Sequence, residues 1–158
     1  MRPAGVEEET DGDPAPLAER NACRKASAVP GSLVLGADTV VSAAGTPLGK
    51  PADEAQAREF LLRLAGRTHE VFGGIALARD GAVTAAAVET TRVRFRAIGP
   101  ELLDWYIATG EWRDRAGGYA IQGAGAALVT AVEGDYLNVV GLPLARLLEL
   151  CPGLIPGT

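Results

Sequence analysis

The sequence predicts a mixed α/β fold in which helices cover a β-sheet. Three observations support this prediction: apolar runs of strand length alternate with stretches of helical periodicity, turn signals separate them, and one pair of runs is joined as a hairpin. At 158 residues and 47% hydrophobic content, the chain has the length of one domain and can bury a core. We therefore expect residues 1–158 to form a single domain.

The first half of the chain carries clear start and stop signals. A helix is predicted from Pro14 to Val29, because apolar side chains recur there at helical spacing. An apolar strand follows over residues 32–41. Asp53 and Gln56 then form a capping box, which predicts a second helix that ends at the next glycine.

The middle of the chain predicts a hairpin followed by a helix. A strand over residues 71–78 leads into the Asp80-Gly81 pair, a strong hairpin signal. The second strand ends in residues 92–96, where arginine and apolar residues alternate, so one face should be buried and the other exposed to solvent. A helix is expected to begin at Pro100 and to end at Gly110.

The two ends of the chain are predicted from composition and pattern. A strand is expected over residues 126–132 and a last helix over residues 144–150, with residues 152–158 as a loose tail. The first 13 residues are acidic and rich in turn formers, which is typical of a solvated loop.

Charge and composition exclude several function classes. The net charge of −5 argues against a nucleic-acid-binding surface, which usually carries a basic stripe, and no apolar run is long enough to span a membrane. The cysteines, Cys23 and Cys151, lack metal-like spacing and indicate small apolar fillers in a reducing compartment, so we expect a cytoplasmic protein. The single His69 cannot form a histidine metal cluster, which directs attention to carboxylates and metals.

Asp38 is the most informative residue of the chain. It interrupts an apolar run of strand length, where a lone carboxylate is costly to desolvate, so a functional site explains it better than packing does. The alternative is that an aspartate after a strand forms a turn or caps a helix. As a site residue, Asp38 would bind a divalent cation, activate a water molecule, or do both.

Two further polar residues stand on constrained backbone. Lys50 lies between Gly49 and Pro51 and would neutralise phosphate charge, whereas Gln122, in a glycine-rich turn, has the donor and acceptor needed to recognise the edge of a base. Neither standard phosphate-binding glycine motif occurs. A nucleotide site would therefore depend on side chains and metal.

Other charged residues have plain structural alternatives. Glu8 becomes a candidate metal ligand only if its loop folds back near Asp38, because a hard cation requires several oxygens. Lys25 also fits a surface position near a helix C-terminus. The arginines of residues 92–96 also suit a solvent-exposed strand face.

Five ordered motifs spread over nearly the whole chain resemble the Maf family of nucleoside triphosphate pyrophosphatases. Their sequences are LVLGADTVV, LGKP, LAGRTH, DRAGGYAIQG and YLNVVGLPL, at residues 33–41, 48–51, 64–69, 114–123 and 136–144. The resemblance implies an elongated mixed sheet flanked by helices, in two lobes with a central cleft, as in the similar ITPase-like folds. It also implies magnesium or manganese as the cofactor and a nucleoside triphosphate as the substrate.

The resemblance carries over to particular residues. It places the catalytic proton acceptor at Asp38, with Glu8 as a second metal ligand. The positions that decide substrate choice fall on Thr39 and Gln122 and look like those of the branch that acts on dTTP and UTP. The residues that bind phosphate or substrate fall on Lys25, Lys50 and Arg115, the last at a position where most members carry lysine, which changes the geometry of the charge.

The beginning of the chain departs from the family pattern. Members open with a strand and a helix that carry a Ser-x-Ser-Pro-Arg-Arg signature, and residues 2–8 here already align with the loop that follows. We expect either a start assigned too late at Met1 or a real loss of that segment. The alternative function is a non-catalytic nucleotide-binding or regulatory protein of the same fold that affects septum formation. A homodimer stays open as a further partner.

Overall fold

A single five-stranded sheet organises the protein. The computed structural model describes residues 5–155, and its strand order is β2-β1-β3-β4-β5, with every neighbouring pair antiparallel. Helices flank this sheet, which confirms the predicted α/β class, while the described strands are all antiparallel where a mixed sheet was expected. In chain order the elements are α1 (Pro14–Ser27), β1 (Val34–Ala43), β2 (Thr46–Leu48), α2 (Glu54–Leu64), β3 (Thr68–Arg79), β4 (Ala82–Phe95), α3 (Pro100–Thr109), β5 (Val129–Glu133), α4 (Tyr136–Val140) and α5 (Leu144–Leu150).

The long β3–β4 hairpin confirms the strongest turn prediction. Arg79 pairs with Ala82 across the two-residue loop, and both loop residues have positive φ, 50° for Asp80 and 84° for Gly81. These signs are those of a type I′ turn, whose twist matches that of the flanking strands. At the far end of β4, arginine side chains are exposed and the intervening Val93 and Phe95 are buried, as the alternation predicts.

Helix α1 packs very closely on one face of the sheet because glycines face it. A Cβ atom at Gly36 would lie 2.2 Å from the carbonyl oxygen of Ala22, and one at Gly74 would lie 2.1 Å from that of Ala18. Both obstacles are backbone atoms, which cannot rotate aside. The helix axis can therefore approach β1 and β3 only while these two positions lack side chains.

The opposite face of the sheet carries two separate apolar clusters. One packs α2 and α3 on β3 and β4 and includes the fully buried Tyr106 and Phe95. The other packs Leu147 of α5 on Ile75 of β3. Between them, on the same face, lies Thr39 of β1. The two clusters thus leave a gap beside the middle of β1.

Several boundaries differ from the sequence-based predictions. The strand expected over residues 126–132 is shorter, because Ala124–Leu128 forms a 3-10 helix and β5 begins only at Val129. The physical reason is close packing: a Cβ at Gly125 would lie 2.4 Å from the Ala120 carbonyl oxygen, so this small-residue segment folds tightly against its own loop. Two short elements, β2 and α4, were not anticipated at all.

Both ends of the chain extend beyond the described residues. The predicted start at Met1 and the end of the predicted loose tail lie outside the described residues, in residues 1–4 and 156–158. The described part of the tail contains a 3-10 turn at Pro152–Leu154. The division into two lobes stays a prediction. Within residues 5–155, no helix has both the length and the apolarity that crossing a bilayer requires.

Candidate active site

Asp38 lies on the face of β1 that α1 covers, and it is only 8% exposed. Two side chains from α1 hold its two oxygens separately. Lys25 Nζ donates to Oδ1 at 2.5 Å, and Asn21 Nδ2 donates to Oδ2 at 3.1 Å. The structure therefore shows the predicted strand with one buried carboxylate, and both oxygens of that carboxylate accept hydrogen bonds.

Opposing effects act on the protonation of this ion pair. Burial raises the pKa of the Asp38 carboxyl above its ordinary value, although the hydrogen bonds from Lys25 and Asn21 counteract it. Burial alone would lower the pKa of Lys25, but its hydrogen bonds to Asp38 and Glu8 outweigh that effect and raise it. Lys25 is therefore held as a cation between two carboxyl groups.

Glu8 extends the pair into a chain of alternating charges. Its Oε1 accepts from Lys25 Nζ at 2.8 Å and lies 3.1 Å from Lys50 Nζ. Burial alone would raise the pKa of Glu8, but the two lysines outweigh that effect and hold it below its usual value. The acidic loop does fold back toward Asp38, which was the condition set for Glu8 as a candidate ligand. The network runs from Asp38 through Lys25 and Glu8 to Lys50.

Asn21 is a site residue that the sequence reasoning missed. It is 3% exposed, and besides Asp38 it contacts the backbone of Glu9. One signal could have found it: Asn21 stands four residues after Leu17 and three after Ala18, within the buried stripe of an amphipathic helix. A polar residue in an apolar stripe calls for a buried partner.

Lys50 is placed by a contact between two loops. The backbone N–H of Gly117 donates to the carbonyl oxygen of Gly49 at 3.0 Å, next to Lys50. Gly117 has a φ of 67°, and a Cβ there would lie 2.8 Å from Val41, so this loop fits against β1 only with glycine at that position. The same contact brings Arg115 to the wall that Lys50 lines.

The loop that carries Gln122 is held from below by buried aromatic residues. Tyr119 OH lies 2.9 Å from His69 Nε2, and the Ala120 N–H donates to Tyr106 OH at 3.2 Å. Burial lowers the pKa of His69 to about 4 and raises that of Tyr106 to about 12, so both side chains are neutral near pH 7. Gln122 itself is exposed at the end of this rigid support.

A cavity of about 650 Å³ joins these parts along β1. Successive strand residues point to opposite faces, so Asp38 enters it from the side of α1 and Thr39 from the gap between the apolar clusters. Within residues 5–155, no hydrogen bond or ion pair links Thr39, Arg115 or Gln122 to the charge network. All the predicted site residues nevertheless line this cavity: Glu8, Lys25, Asp38, Thr39, Lys50, Arg115 and Gln122.

The donor set suits a hard divalent cation only together with a phosphorylated ligand. Among the described residues, no group of three or more histidine, cysteine, aspartate or glutamate side chains is arranged to hold a metal. Asp38 and Glu8 do contact the same ammonium group, that of Lys25, so their oxygens face a common point. Mg²⁺ commonly takes one or two carboxylates and completes its shell with water and substrate phosphates. The two carboxylates fit that mode.

Fold and cavity together define an α/β protein with a charged, ligand-sized site at the edge of an antiparallel sheet. Comparison with known families identifies it further. The family described as "Maf-like protein" matches residues 1–153. The chain belongs to the Maf family.

Relatives from several organisms are similar to this chain over most of its length. A protein of Symbiobacterium thermophilum named dTTP/UTP pyrophosphatase is 52% identical over 141 residues, which cover 87% of this chain and 72% of the relative. Proteins with the same name from an Anaeromyxobacter species and from Pyrococcus furiosus are 49% and 46% identical, over 95% and 85% of this chain and 76% and 70% of the relatives.

Proposed function

We propose that this chain is a nucleoside triphosphate pyrophosphatase that hydrolyses dTTP and UTP to the nucleoside monophosphate and pyrophosphate. Its similarity to relatives with that name supports the proposal. The observation that carries it is the buried Asp38, whose two oxygens are fixed by separate donors beside a second carboxylate and two lysines. A carboxylate in these surroundings could accept a proton next to a bound polyphosphate.

In the proposed reaction, water attacks the α-phosphorus while Asp38 accepts its proton. The bond between the α-phosphorus and the bridging oxygen breaks, and pyrophosphate leaves with the bonding electron pair. Lys50 and Arg115 bind the β- and γ-phosphates and stabilise the charge that develops on the leaving group. Lys25 exchanges one of its carboxylate contacts for a phosphate oxygen.

The cofactor that fits is Mg²⁺ or Mn²⁺, which Asp38 and Glu8 would hold together with phosphate oxygens. When bound, such a cation supplies charge neutralisation at the triphosphate and lowers the pKa of coordinated water. We expect the nucleotide, rather than nucleic acid or a lipid surface, to be the partner, and the cytoplasm to be the compartment.

Base selection belongs to the other side of β1 in this proposal. Thr39 lies between the two apolar clusters, and Gln122 projects from the supported loop at the rim of the same cavity. An amide offers one donor group and one acceptor, so it pairs with one base edge and leaves an unmatched group with another, which is a basis for selectivity.

The direct test measures pyrophosphate release from dTTP and UTP by the purified chain with Mg²⁺ or Mn²⁺. Asp38→Asn should lower kcat by at least about 10²-fold, because the base is lost, while the melting temperature is maintained. Asp104→Asn is the matched control: Asp104 is exposed, and its ion pair with Arg58 lies on the surface. It should leave kcat within about twofold of the parent.

Two outcomes would contradict the proposal. Full activity of a well-folded Asp38→Asn variant would remove this carboxylate from the mechanism. Tight binding of dTTP without any release of pyrophosphate would instead favour the non-catalytic alternative.

A further inference from the structure

We propose that Asn21 is a positioning residue that locks the loop of Glu8 and Glu9 to Asp38, so that the two carboxylates of the site keep one fixed arrangement. This inference rests on the proposed function for its kinetic consequence. Its structural content is independent of that function, because it concerns hydrogen bonds within the chain.

The Asn21 amide makes three hydrogen bonds to two separate segments. Its Oδ1 accepts from the backbone N–H of Glu9 at 2.9 Å. Its Nδ2 donates to the Glu9 carbonyl oxygen at 3.0 Å and to Asp38 Oδ2 at 3.1 Å. The Glu9 N–H fixes which end of the amide is oxygen, and both N–H groups of Nδ2 are then used. Asn21 has no donor left for a substrate.

The loop is held from two directions at Glu9. Inside, Asn21 pairs with the Glu9 backbone through both its N–H and its carbonyl. Outside, the Glu9 carboxylate accepts from Arg20 and Arg24 at 2.9 and 3.1 Å, in contacts that are well exposed to solvent. Because the two buried hydrogen bonds from Asn21 fix the Glu9 backbone, the preceding residue, Glu8, is directed to Lys25 and Lys50.

Asparagine is the side chain that this arrangement requires. Two donors and one acceptor must be presented from one buried position. Leucine has a similar volume but none of these groups. Aspartate would offer only acceptors and would set a second negative charge against Asp38. The exposed Arg20 and Arg24 cannot replace Asn21 in this role. Solvent-exposed ion pairs contribute little to stability, and within residues 5–155 neither arginine contacts Asp38.

The test compares Asn21→Leu with Arg20→Gln. Both remove contacts to Glu9, but only the first also removes the contact to Asp38. We expect Asn21→Leu to lower kcat about 10- to 100-fold, with KM for dTTP within about threefold at saturating metal, because a hydrogen bond to a charged group is lost without loss of a substrate contact. Arg20→Gln should change kcat less than about twofold.

Amide hydrogen exchange tests the same proposal without an activity assay, because it measures the protection of the Glu9 backbone N–H. In the parent chain the Glu9 amide should be protected relative to that of Glu7, and Asn21→Leu should abolish this protection while Arg20→Gln preserves it. A Glu9 amide that exchanges freely in the parent chain would overturn the proposal, as would protection that persists in a folded Asn21→Leu.

The kinetic reading can also overturn the proposal. A rise in KM at unchanged kcat in Asn21→Leu would mean that Asn21 contacts the substrate directly. If Asn21→Leu does not fold, the parent measurement still decides the structural claim. If the parent chain releases no pyrophosphate, the proposed function fails and exchange alone decides the role of Asn21, so the two failures are distinguishable.

Discussion

At the scale of single residues, Gln122 offers the sharpest test of selectivity. Gln122→Glu replaces the N–H donors by a charged acceptor, so a pyrimidine edge that it recognises would lose its partner. We expect kcat/KM for dTTP and UTP to fall at least about tenfold more than kcat/KM for a purine triphosphate. The measurement is kcat/KM across four nucleotides under one metal concentration.

Gln56→Glu provides the matched control for that substitution. Gln56 closes the capping box of α2 by accepting from the Ala52 N–H at 2.7 Å and donating its own N–H to Asp53, and glutamate serves equally well at that position. It should leave the nucleotide preference unchanged. Equal losses for every nucleotide in Gln122→Glu would make Gln122 a scaffold residue only.

Single residues could be predicted from the sequence where their chemistry differed clearly from that of their neighbours in the chain. Asp38 stood out because a carboxylate is costly within an apolar strand, and the structure does bury it. Asn21 did not stand out, because its partners, Glu9 and Asp38, lie 12 and 17 residues away and no local rule brings them together. The catalytic and selective roles of the cavity residues stay predictions.

At the scale of elements, the contact of α1 with β1 decides the geometry of the site. Gly36→Ala would place a Cβ 2.2 Å from a backbone oxygen of α1, so the helix that carries Asn21 and Lys25 must shift away from Asp38. We expect a loss of about 1–3 kcal/mol in the free energy of unfolding, together with reduced kcat. Denaturant unfolding and pyrophosphate release measure the two effects.

Gly153→Ala serves as the control for that change. Among residues 5–155, and apart from its two chain neighbours, no heavy atom lies within 4 Å of a Cβ at Gly153, so the added methyl group meets no described atom. Its unfolding free energy should stay within about 0.5 kcal/mol of the parent. A Gly36→Ala chain as stable as this control would show that α1 does not depend on the missing side chain.

Elements with strong local signals were predicted well, and those without them were not. The Asp80-Gly81 hairpin and the ends of α3 at Pro100 and Gly110 are confirmed. Strand β2 escaped prediction because its turn uses Ala44 at φ 50°, a conformation that alanine rarely adopts, and because Pro47 argues against a strand. Only tertiary packing specifies such a segment.

At the scale of the whole molecule, His69 links stability to pH. The pKa of His69 is about 4 in the folded protein, against 6.5 for an unperturbed histidine, so the unfolded chain binds the proton more readily. The stabilisation is complete above pH 6.5 and is lost as the pH falls toward 4. Between pH 7 and pH 4.5 we expect about 2–3 kcal/mol of unfolding free energy to be lost through this residue.

His69→Gln removes this proton linkage and retains a side chain able to pair with Tyr119. Chemical unfolding at pH 7 and pH 4.5 measures the loss of unfolding free energy between the two pH values. That loss should be about 2–3 kcal/mol smaller for the variant than for the parent. The carboxyl groups of the site titrate in both chains and cancel in the comparison. Identical declines in the two chains would mean that His69 is protonated at little cost in the folded state.

The global arrangement was the least accessible from sequence. That strands and helices interleave could be predicted, but not that β1 pairs with β3 across α2, nor that the sheet is antiparallel throughout the described residues. The cavity likewise depends on loops from three separate parts of the chain meeting at β1, and their meeting follows from topology rather than from any local pattern.

Asp38 and Thr39 are neighbours in β1, and their side chains lie on opposite faces of the sheet, which constrains how this site can change during evolution. Neighbouring codons specify side chains on opposite sides of one strand. If Thr39 selects the base as proposed, a point substitution there would alter base preference without changing the proposed proton acceptor. A single-codon insertion or deletion earlier in β1 is different, because it turns every following side chain to the other side. Divergence of substrate preference in this family is therefore expected to proceed by replacement and not by length change within this strand.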